Sequence, residues 1–269
     1  MTPEPQATTI DPSASIHPTV RIGRNVKIGP GCVIGSEVVI GDGTVLKSHC
    51  VIGSFTKIGS NNTLYPFSTV GGDPQDLQWH GEETYLVMGD RNVVREGVTI
   101  NRGTHKGDGT TRIGSGNLFM ANAHVAHDCV IGDHVVMANN TLLAGHVVVE
   151  DRAILNGAAA VHQFTTIGQL AYVGGLTRIV QDVPPFMIVE GNPSKVRKVN
   201  VVGLQRLGYS EEVIFALKEA FRLLFRSRRP RSEIMGEMED HGVEYAEVRE
   251  LLEFLKRMER GRYGRSRNV

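Results

Sequence analysis

Several features that would mark a particular class of protein are scarce in this sequence of 269 residues. Aromatic side chains make up 6% of it, and the 29 basic residues are balanced by 29 acidic ones. This zero formal charge gives no general support for binding nucleic acid or a membrane surface. No apolar run is long enough for membrane insertion, and the N-terminal residues MTPEPQATTI lack the apolar core of a signal peptide. Three cysteines do not suggest a disulfide framework, so we expect a cytoplasmic protein.

Glycine is abundant, with 31 residues, which favours a repetitive β architecture with many turns. Apolar side chains also recur at every sixth position, in two long series. The first series consists of Ile10, Ile16, Ile22, Ile28, Ile34, Ile40, Leu46, Ile52, Ile58, Leu64 and Val70. The second consists of Ile113, Phe119, Val125, Ile131, Met137, Leu143, Val149, Leu155, Val161, Ile167, Val173 and Ile179. Many of these residues precede a glycine, as in Ile22-Gly23 and Ile40-Gly41.

A six-residue period does not fit an α-helix, but it is the hexapeptide signature of a left-handed parallel β-helix. Three hexads form one triangular coil of about 18 residues, and the coils stack about 4.8 Å apart. The fold class is therefore predicted to be mainly β. We expect the aliphatic side chains to point inward and the glycine after them to relieve backbone strain at the turn. Cys32, Cys50 and Cys129 occupy the small inward position and are predicted to be buried packing thiols.

Two stretches break the period and are predicted to be loops, near residues 72–87 and 103–111. The β-helix is expected to stop near the two prolines of QDVPPF (181–186). Beyond it, apolar residues follow helical spacing, with Ser210 as a helix N-cap. The sequence thus predicts a β-helix over residues 1–192 and a small α-helical domain over residues 193–269.

Stacking by 18 residues brings several histidines to one edge of the predicted β-helix. His127, Gly145 and Gln163 form one column, because residues 18 apart lie above one another. His146 and His162 flank this column on the next two coils, and His124 precedes His127 by three residues. A β-helix does not need outward histidines for folding, so this cluster is a candidate functional site.

Two chemistries are compatible with the cluster. The histidines can bind zinc, as in the γ-class carbonic anhydrases, which share the hexapeptide repeat. Alternatively, His127 is a general base that Asp128 supports, provided that the chain turns between them, since adjacent strand residues face opposite sides. The Gly145 N–H would then stabilise an oxyanion, if it points outward.

The motifs NRGT (101–104), NAHVAHDC, ANNTLLAGHV, AVHQF, VGG and QDVPPF, with the helical C-terminus, resemble the UDP-N-acetylglucosamine O-acyltransferase family. The resemblance covers the chain after residue 10. It implies a homotrimer with active sites between neighbouring β-helices. It also implies transfer of a (3R)-3-hydroxyacyl group from acyl carrier protein to the glucosamine 3-position of UDP-N-acetylglucosamine, the first step of lipid A biosynthesis. No cofactor or metal is expected, because a thioester is already activated.

The resemblance also implies roles for individual residues. His127 resembles the general base, Asp128 its supporting carboxylate, and Gly145 the amide donor to the oxyanion. The residues that match substrate-binding positions are Asp76, His124, His146, His162, Gln163, Gly175, Asn200 and Arg206. Among these, Asp76 matches a carboxylate that binds the sugar, and Gly175 matches the position that limits acyl-chain length. Asn200 and Arg206 match polar residues near the nucleotide phosphates.

Three positions depart from the family pattern, namely Gln78 in place of a lysine, Val202 in place of a glutamate and Leu207 in place of an arginine.

Other interpretations of individual motifs also remain open. GNPSK (191–195) resembles a motif of hexapeptide acyltransferases that use a coenzyme A thioester. A small-residue column, Ala121, Asn139, Gly157 and Gly175, is compatible with an acyl groove or with simple corner packing. The arginines near residues 222–231 suit an acidic carrier protein or a solvated helix face.

Overall fold

The computed structural model describes residues 7–267 as 28 short strands followed by four helices. The strands, β1 to β28 in chain order, are Thr9–Ile10, Ser15–Ile16, Arg21–Ile22, Lys27–Ile28, Val33–Ile34, Val39–Ile40, Val45–Leu46, Val51–Ile52, Thr56–Ile58, Thr63–Leu64, Thr69–Gly72, Tyr85–Met88, Val93–Val94, Thr99–Asn101, Thr110–Ile113, Leu118–Phe119, His124–Val125, Val130–Ile131, Val136–Met137, Leu142–Leu143, Val148–Val149, Ile154–Leu155, Ala160–Val161, Thr166–Ile167, Tyr172–Val173, Arg178–Ile179, Met187–Glu190 and Lys195–Val199. The helices α1 to α4 are Val201–Arg206, Glu211–Arg226, Arg231–Asp240 and Ala246–Arg260.

The strands form three parallel sheets, each taking every third strand, which confirms the predicted β-helix. Successive coils are in register at the 18-residue spacing, as where Val125 pairs with Leu143. The register changes at two places. Thr63 pairs with Val93 across the first predicted loop, and Thr99 pairs with His124 across the second. The loops lie between β11 and β12 and between β14 and β15, so both are shorter than the sequence predicted.

The aliphatic side chains of the hexads fill the interior, as predicted, and the three cysteines lie among them. The predicted role of the repeated glycines was wrong. Gly41 does not have a positive φ; a Cβ on it would lie 2.5 Å from the carbonyl carbon of Gly59 on the next coil. The glycine is required by close packing of the coils. The positive φ falls two residues later, at Gly43, and non-glycine residues take it at most other corners.

Strand pairing extends beyond the two prolines, further than predicted. Strand β27 still pairs in parallel with β25, and β28 then returns antiparallel to β27. The boundary expected at residues 192 and 193 therefore lies in the turn of a hairpin. The helices form a second apolar cluster that contacts the last coils through Leu170 and Phe186. Ser210 caps α2 by accepting a hydrogen bond from the Val213 N–H, as predicted. No helix within residues 7–267 has the length and apolar character to cross a membrane.

The chain after α4 returns to the β-helix. The Asp182 N–H donates to the Gly264 carbonyl (2.8 Å), and the Ser266 N–H donates to the Asp182 carboxylate (2.7 Å). Arg267 donates to the His146 carbonyl (2.6 Å). The C-terminal segment thus packs behind the coil edge that carries the histidines.

Candidate active site

His127 and Asp128 occupy a corner of the β-helix between β17 and β18. Asp128 has φ of 59°, so the chain turns there and both side chains come to the same side. The His127 Nδ1 lies 2.8 Å from the Asp128 Oδ2. Asp128 can support His127 only if the chain turns between them, because adjacent residues of a strand face opposite sides. The structure has this turn.

Asp128 is held by the loop between β14 and β15. Its Oδ1 accepts the Thr104 N–H (2.9 Å), and its Oδ2 accepts the Thr104 hydroxyl (2.6 Å). The Asp128 N–H donates to the Thr111 hydroxyl (2.8 Å). Burial raises the pKa of Asp128, but the hydrogen bonds from His127 and Thr104 outweigh it, so the net pKa lies below its usual value. An ionised Asp128 requires a proton on Nδ1 of His127, which leaves Nε2 as the free acceptor.

Gly145 lies directly above His127, one coil further along. A Cβ on Gly145 would be 2.5 Å from the Cε1 and 2.7 Å from the Nε2 of His127, so the imidazole occupies the space of a side chain. Within the described residues, the Gly145 N–H donates no hydrogen bond, although the next amide, of His146, donates to the His127 carbonyl (3.0 Å). The Gly145 amide is therefore free for a ligand beside Nε2.

Two further histidines surround this pair. His146 stacks on Phe164, with ring centroids 4.5 Å apart, and its Nε2 is 3.7 Å from the Asp128 carboxylate. Burial is the main cause that lowers the pKa of His146, against the opposing influence of Asp128. The Nδ1 of His124 lies 2.7 Å from the Thr99 hydroxyl, and burial followed by the charge of His127 lowers its pKa. Both rings are therefore neutral at pH 7 and can serve as polar contacts.

These residues border an open groove of about 520 Å³ on the outside of the β-helix. Its polar lining consists of Gln75, His124, His127, Gly145, His162, Gln163 and Arg178. Its apolar floor is formed by neighbouring strands, including Leu142 and Ala160. Asp128 and His146 lie behind the groove and support it.

The loop between β11 and β12 reaches this groove. Gln75 lines it, and the adjacent Asp76 accepts a hydrogen bond from the Lys106 ammonium (2.7 Å) and from the Gln78 N–H (2.9 Å). The hydrogen bond from Lys106, first among several causes, lowers the pKa of Asp76. Thr104 and Lys106 were not predicted from the sequence. The motif NRGT contains Thr104, but its letters alone do not indicate which side chain it contacts.

Three of the predicted site residues neither line the groove of a single chain nor contact the residues that support it. Gly175 is exposed at the other corner of the same sheet, where a Cβ would meet only the Gly157 carbonyl at 3.3 Å. Its φ is not positive, so the backbone does not require a glycine there; Leu176 takes the left-handed conformation at this corner, with φ of 57°. Asn200 caps α1, accepting the Gly203 N–H and donating to the Leu170 carbonyl, and Arg206 lies in the last turn of α1.

Three side chains behind the groove lie close enough together to be considered as metal ligands. One ligand atom each of His127, Asp128 and His146 lies within 4.8 Å of the other two. Both carboxylate oxygens of Asp128 already accept hydrogen bonds, from Thr104 and from His127. An ion at this place would displace the Thr104 and His127 protons, so the side chains fit a hydrogen-bonded network better than a coordination shell.

Comparison with known proteins agrees with this architecture. The family model described as "Udp N-acetylglucosamine O-acyltransferase; Domain 2" matches residues 182–263, and the model of the bacterial transferase hexapeptide matches residues 110–145. The model of the GMPPB C-terminal domain matches residues 5–105.

Individual relatives match over most of the chain. The acyl-(acyl-carrier-protein)–UDP-N-acetylglucosamine O-acyltransferase of Pseudomonas savastanoi is 48% identical over 252 residues, which are 94% of this chain and 98% of the relative. The enzyme of that name from Anaeromyxobacter is 48% identical over 74% of this chain and 78% of its own length.

Solved structures agree with the sequence relatives. The UDP-N-acetylglucosamine acyltransferase of Bacteroides fragilis superposes with a TM-score of 0.90 at 36% identity, covering 92% of this chain and 97% of the other. The Moraxella catarrhalis enzyme gives a TM-score of 0.87 at 44% identity, covering 91% and 95%. By sequence and by fold, the chain is an acyltransferase that belongs to the UDP-N-acetylglucosamine O-acyltransferase family.

Proposed function

We propose that this enzyme transfers a (3R)-3-hydroxyacyl group from acyl carrier protein to the glucosamine 3-hydroxyl of UDP-N-acetylglucosamine, in the first step of lipid A biosynthesis. The names of the relatives indicate these two substrates. The observation that carries the mechanism is the His127–Asp128 pair, whose free Nε2 lies beside the unbonded Gly145 amide in the groove.

His127 acts as the general base. Its Nε2 accepts the proton of the sugar hydroxyl while the oxygen attacks the thioester carbonyl carbon, which accelerates reactions of this kind by roughly 10²–10⁴-fold. The ionised Asp128 stabilises the imidazolium that results and holds its tautomer, as in other histidine–carboxylate pairs. Thr104 keeps Asp128 in place through two hydrogen bonds.

The negative charge on the carbonyl oxygen is stabilised by the Gly145 N–H, which is already oriented and needs no rearrangement. When the C–S bond breaks, the imidazolium returns its proton to the leaving thiolate. A carbon–oxygen bond forms and a carbon–sulfur bond breaks, so the reaction needs no redox partner. The neutral His124, the ring of His162 and the amide of Gln163 are available to position the two substrates.

A homotrimer completes the site in this proposal. The groove is open in one chain, and the exposed apolar side chain of Leu142 (48% exposed) lies on the sheet that carries it. Leu176 (80% exposed) lies at the corner just before β26, the last strand of that sheet. A neighbouring β-helix packed there would cover the groove and bring Gly175, Asn200 and Arg206 to substrates bound between chains. Among the arginines near α2 and α3, Arg222 and Arg229 pair with glutamates. Arg226 and Arg228 form no ion pair within the described residues and so remain available to an acidic carrier protein.

Substitution of His127 by alanine tests the proposal. We expect the rate of acyl transfer to fall by at least about 100-fold, with the thermal midpoint of unfolding nearly unchanged. The matched control is His134→Ala. His134 is exposed at the next corner of the β-helix, between β18 and β19, and does not line the groove. The assay uses a panel of 3-hydroxyacyl carrier proteins with the 3-hydroxyl and 3-amino forms of the sugar. A His127→Ala enzyme that keeps more than about a tenth of the activity would contradict the general-base role.

A further inference from the structure

The loop between β11 and β12, residues 73–84, is strongly acidic for a segment that borders a substrate groove. It contains Asp73, Asp76, Glu82 and Glu83 but no lysine or arginine, and position 78 is an uncharged glutamine. The proposed acceptor carries a diphosphate. Like charges repel, so an acidic loop by itself would weaken binding of a nucleotide sugar.

A cation from another part of the chain lies against this loop. The Nζ of Lys106, in the loop between β14 and β15, is 2.7 Å from the Asp76 Oδ2. The Lys106 side chain is 46% exposed, whereas the Asp76 side chain is 14% exposed. An ammonium has three N–H donors, and only one hydrogen bond of Lys106 is found within the described residues. Lys106 can therefore hold Asp76 and still donate to a ligand.

The root of the acidic loop has a second cation, which is not accessible. Arg102 pairs with Asp73, its side chain is 6% exposed, and its guanidinium lies over the rings of Phe55 and Trp79. The Asn101 amide donates to the Asp73 carbonyl (2.7 Å). These contacts fix the start of the loop, which leaves Lys106 as the exposed cation in contact with it in the described part of the chain.

Lys106 is connected to the groove through Asp76 and through its own loop. Gln75, the neighbour of Asp76, lines the groove, and Lys106 is among the charges that influence the pKa of His146. Thr104, two residues before Lys106, holds Asp128. The same short segment therefore contacts both the catalytic pair and the acidic loop.

We propose that Lys106 is an acceptor-binding residue, whose ammonium binds the diphosphate of the nucleotide sugar and at the same time orients Asp76 in the groove. The proposal rests on the proposed function, because it takes the acceptor to be a nucleotide sugar. In this chain Lys106 supplies the positive charge that Gln78 does not.

The test measures the kinetics of Lys106→Gln. We expect its KM for UDP-N-acetylglucosamine to rise at least about tenfold, since a lost charge-assisted hydrogen bond to an anion has effects of this order. The KM for the acyl carrier protein donor should stay unchanged, and kcat should fall less than about threefold. Lys106→Arg should restore most of the acceptor affinity, because it retains the charge.

The matched control is Arg112→Gln. Arg112 lies on strand β15 and is 47% exposed, close to the 46% of Lys106. It pairs with Asp108 and forms no ion pair or hydrogen bond with the acidic loop. It should behave as the unmodified enzyme. Salt gives an independent readout, since screening weakens contacts between exposed charges. The acceptor KM of the unmodified enzyme should rise with potassium chloride, and that of Lys106→Gln should rise much less.

The outcomes separate the two levels of the argument. If the unmodified enzyme acylates no nucleotide sugar, the proposed function fails. If it does, but Lys106→Gln keeps the acceptor KM within about twofold, or raises the KM of both substrates equally, Lys106 is not an acceptor-binding residue. A fall in kcat alone, with no change in salt dependence, would assign Lys106 only to holding Asp76 and would also overturn the proposal.

Discussion

Substitution of Gly145 by alanine tests the geometry of the catalytic pair most directly. The added Cβ would lie 2.5 Å from the Cε1 of His127, where ordinary contact begins at 3.4 Å. The imidazole must therefore move by about 1 Å, because the Gly145 backbone is held by the coil and the ring borders an open groove. Displacements of this size near a reacting atom cost about 100-fold in rate, which corresponds to about 2.7 kcal/mol.

The backbone itself accepts the change. Gly145 does not have a positive φ, so alanine introduces no strain in the main chain, and the N–H proposed to stabilise the oxyanion is retained. The substitution thus separates the two roles of this position. If Gly145 mattered only through its amide, the alanine variant would be nearly fully active.

The assay compares kcat/KM, its pH profile and the thermal midpoint of unfolding. We expect a loss of about 100-fold, an altered pH profile because the bond from His127 to Asp128 is weakened, and a midpoint lowered by only a few degrees. Gly236→Ala is the control, since a Cβ there contacts nothing within 4 Å. A Gly145→Ala enzyme with more than a third of the unmodified kcat/KM would refute the close-packing argument.

Three further predictions concern other parts of the molecule. Gly175→Met should shift donor preference toward shorter acyl chains by about 100-fold, because three or four displaced methylenes are worth roughly 2.5–3 kcal/mol; an unchanged ratio of kcat/KM between long and short donors would disprove the role in chain length. Treatment with a chelator should leave activity unchanged. Stoichiometric zinc in the purified protein, with activity lost on its removal, would instead favour a zinc site as in the γ-class carbonic anhydrases. Glu250→Gln should raise the thermal midpoint at pH 8. Burial is the main cause that raises the pKa of Glu250 above 4.5, and the charge of Glu150 adds to it. A raised pKa contributes stability that is present at low pH and lost as the pH rises, so the advantage of the variant should vanish near pH 4; a constant difference between the two proteins would contradict it.

The structure also explains which predictions about the site were accessible from the sequence. The column of His127, Gly145 and Gln163 follows from counting by 18, because no insertion interrupts the coils after β15. The 18-residue spacing does not identify neighbours across the two loops. Thr104 and Asp128 are 24 residues apart, and Asp76 and Lys106 are 30 apart, so neither pair falls on a multiple of the coil length.

The sequence by itself determined the coils of this protein, their register and the edge on which the histidines stack. The physical reason is that the aliphatic period equals one side of a coil, so burial of each apolar side chain fixes the position of the next. The role of the repeated glycines required the tertiary structure, because their Cβ positions conflict with atoms of the following coil rather than with their own backbone.

Only the tertiary structure decided how the catalytic pair is supported. The Asp128 side chain contacts His127 because Asp128 itself has the left-handed corner conformation. Thr104 binds the Asp128 carboxylate and Lys106 binds that of Asp76, both from a loop without a repeating pattern. Periodic residues specify their neighbours through the repeat itself. Loop residues obtain theirs from the length and path of each insertion, which no local pattern in the sequence records.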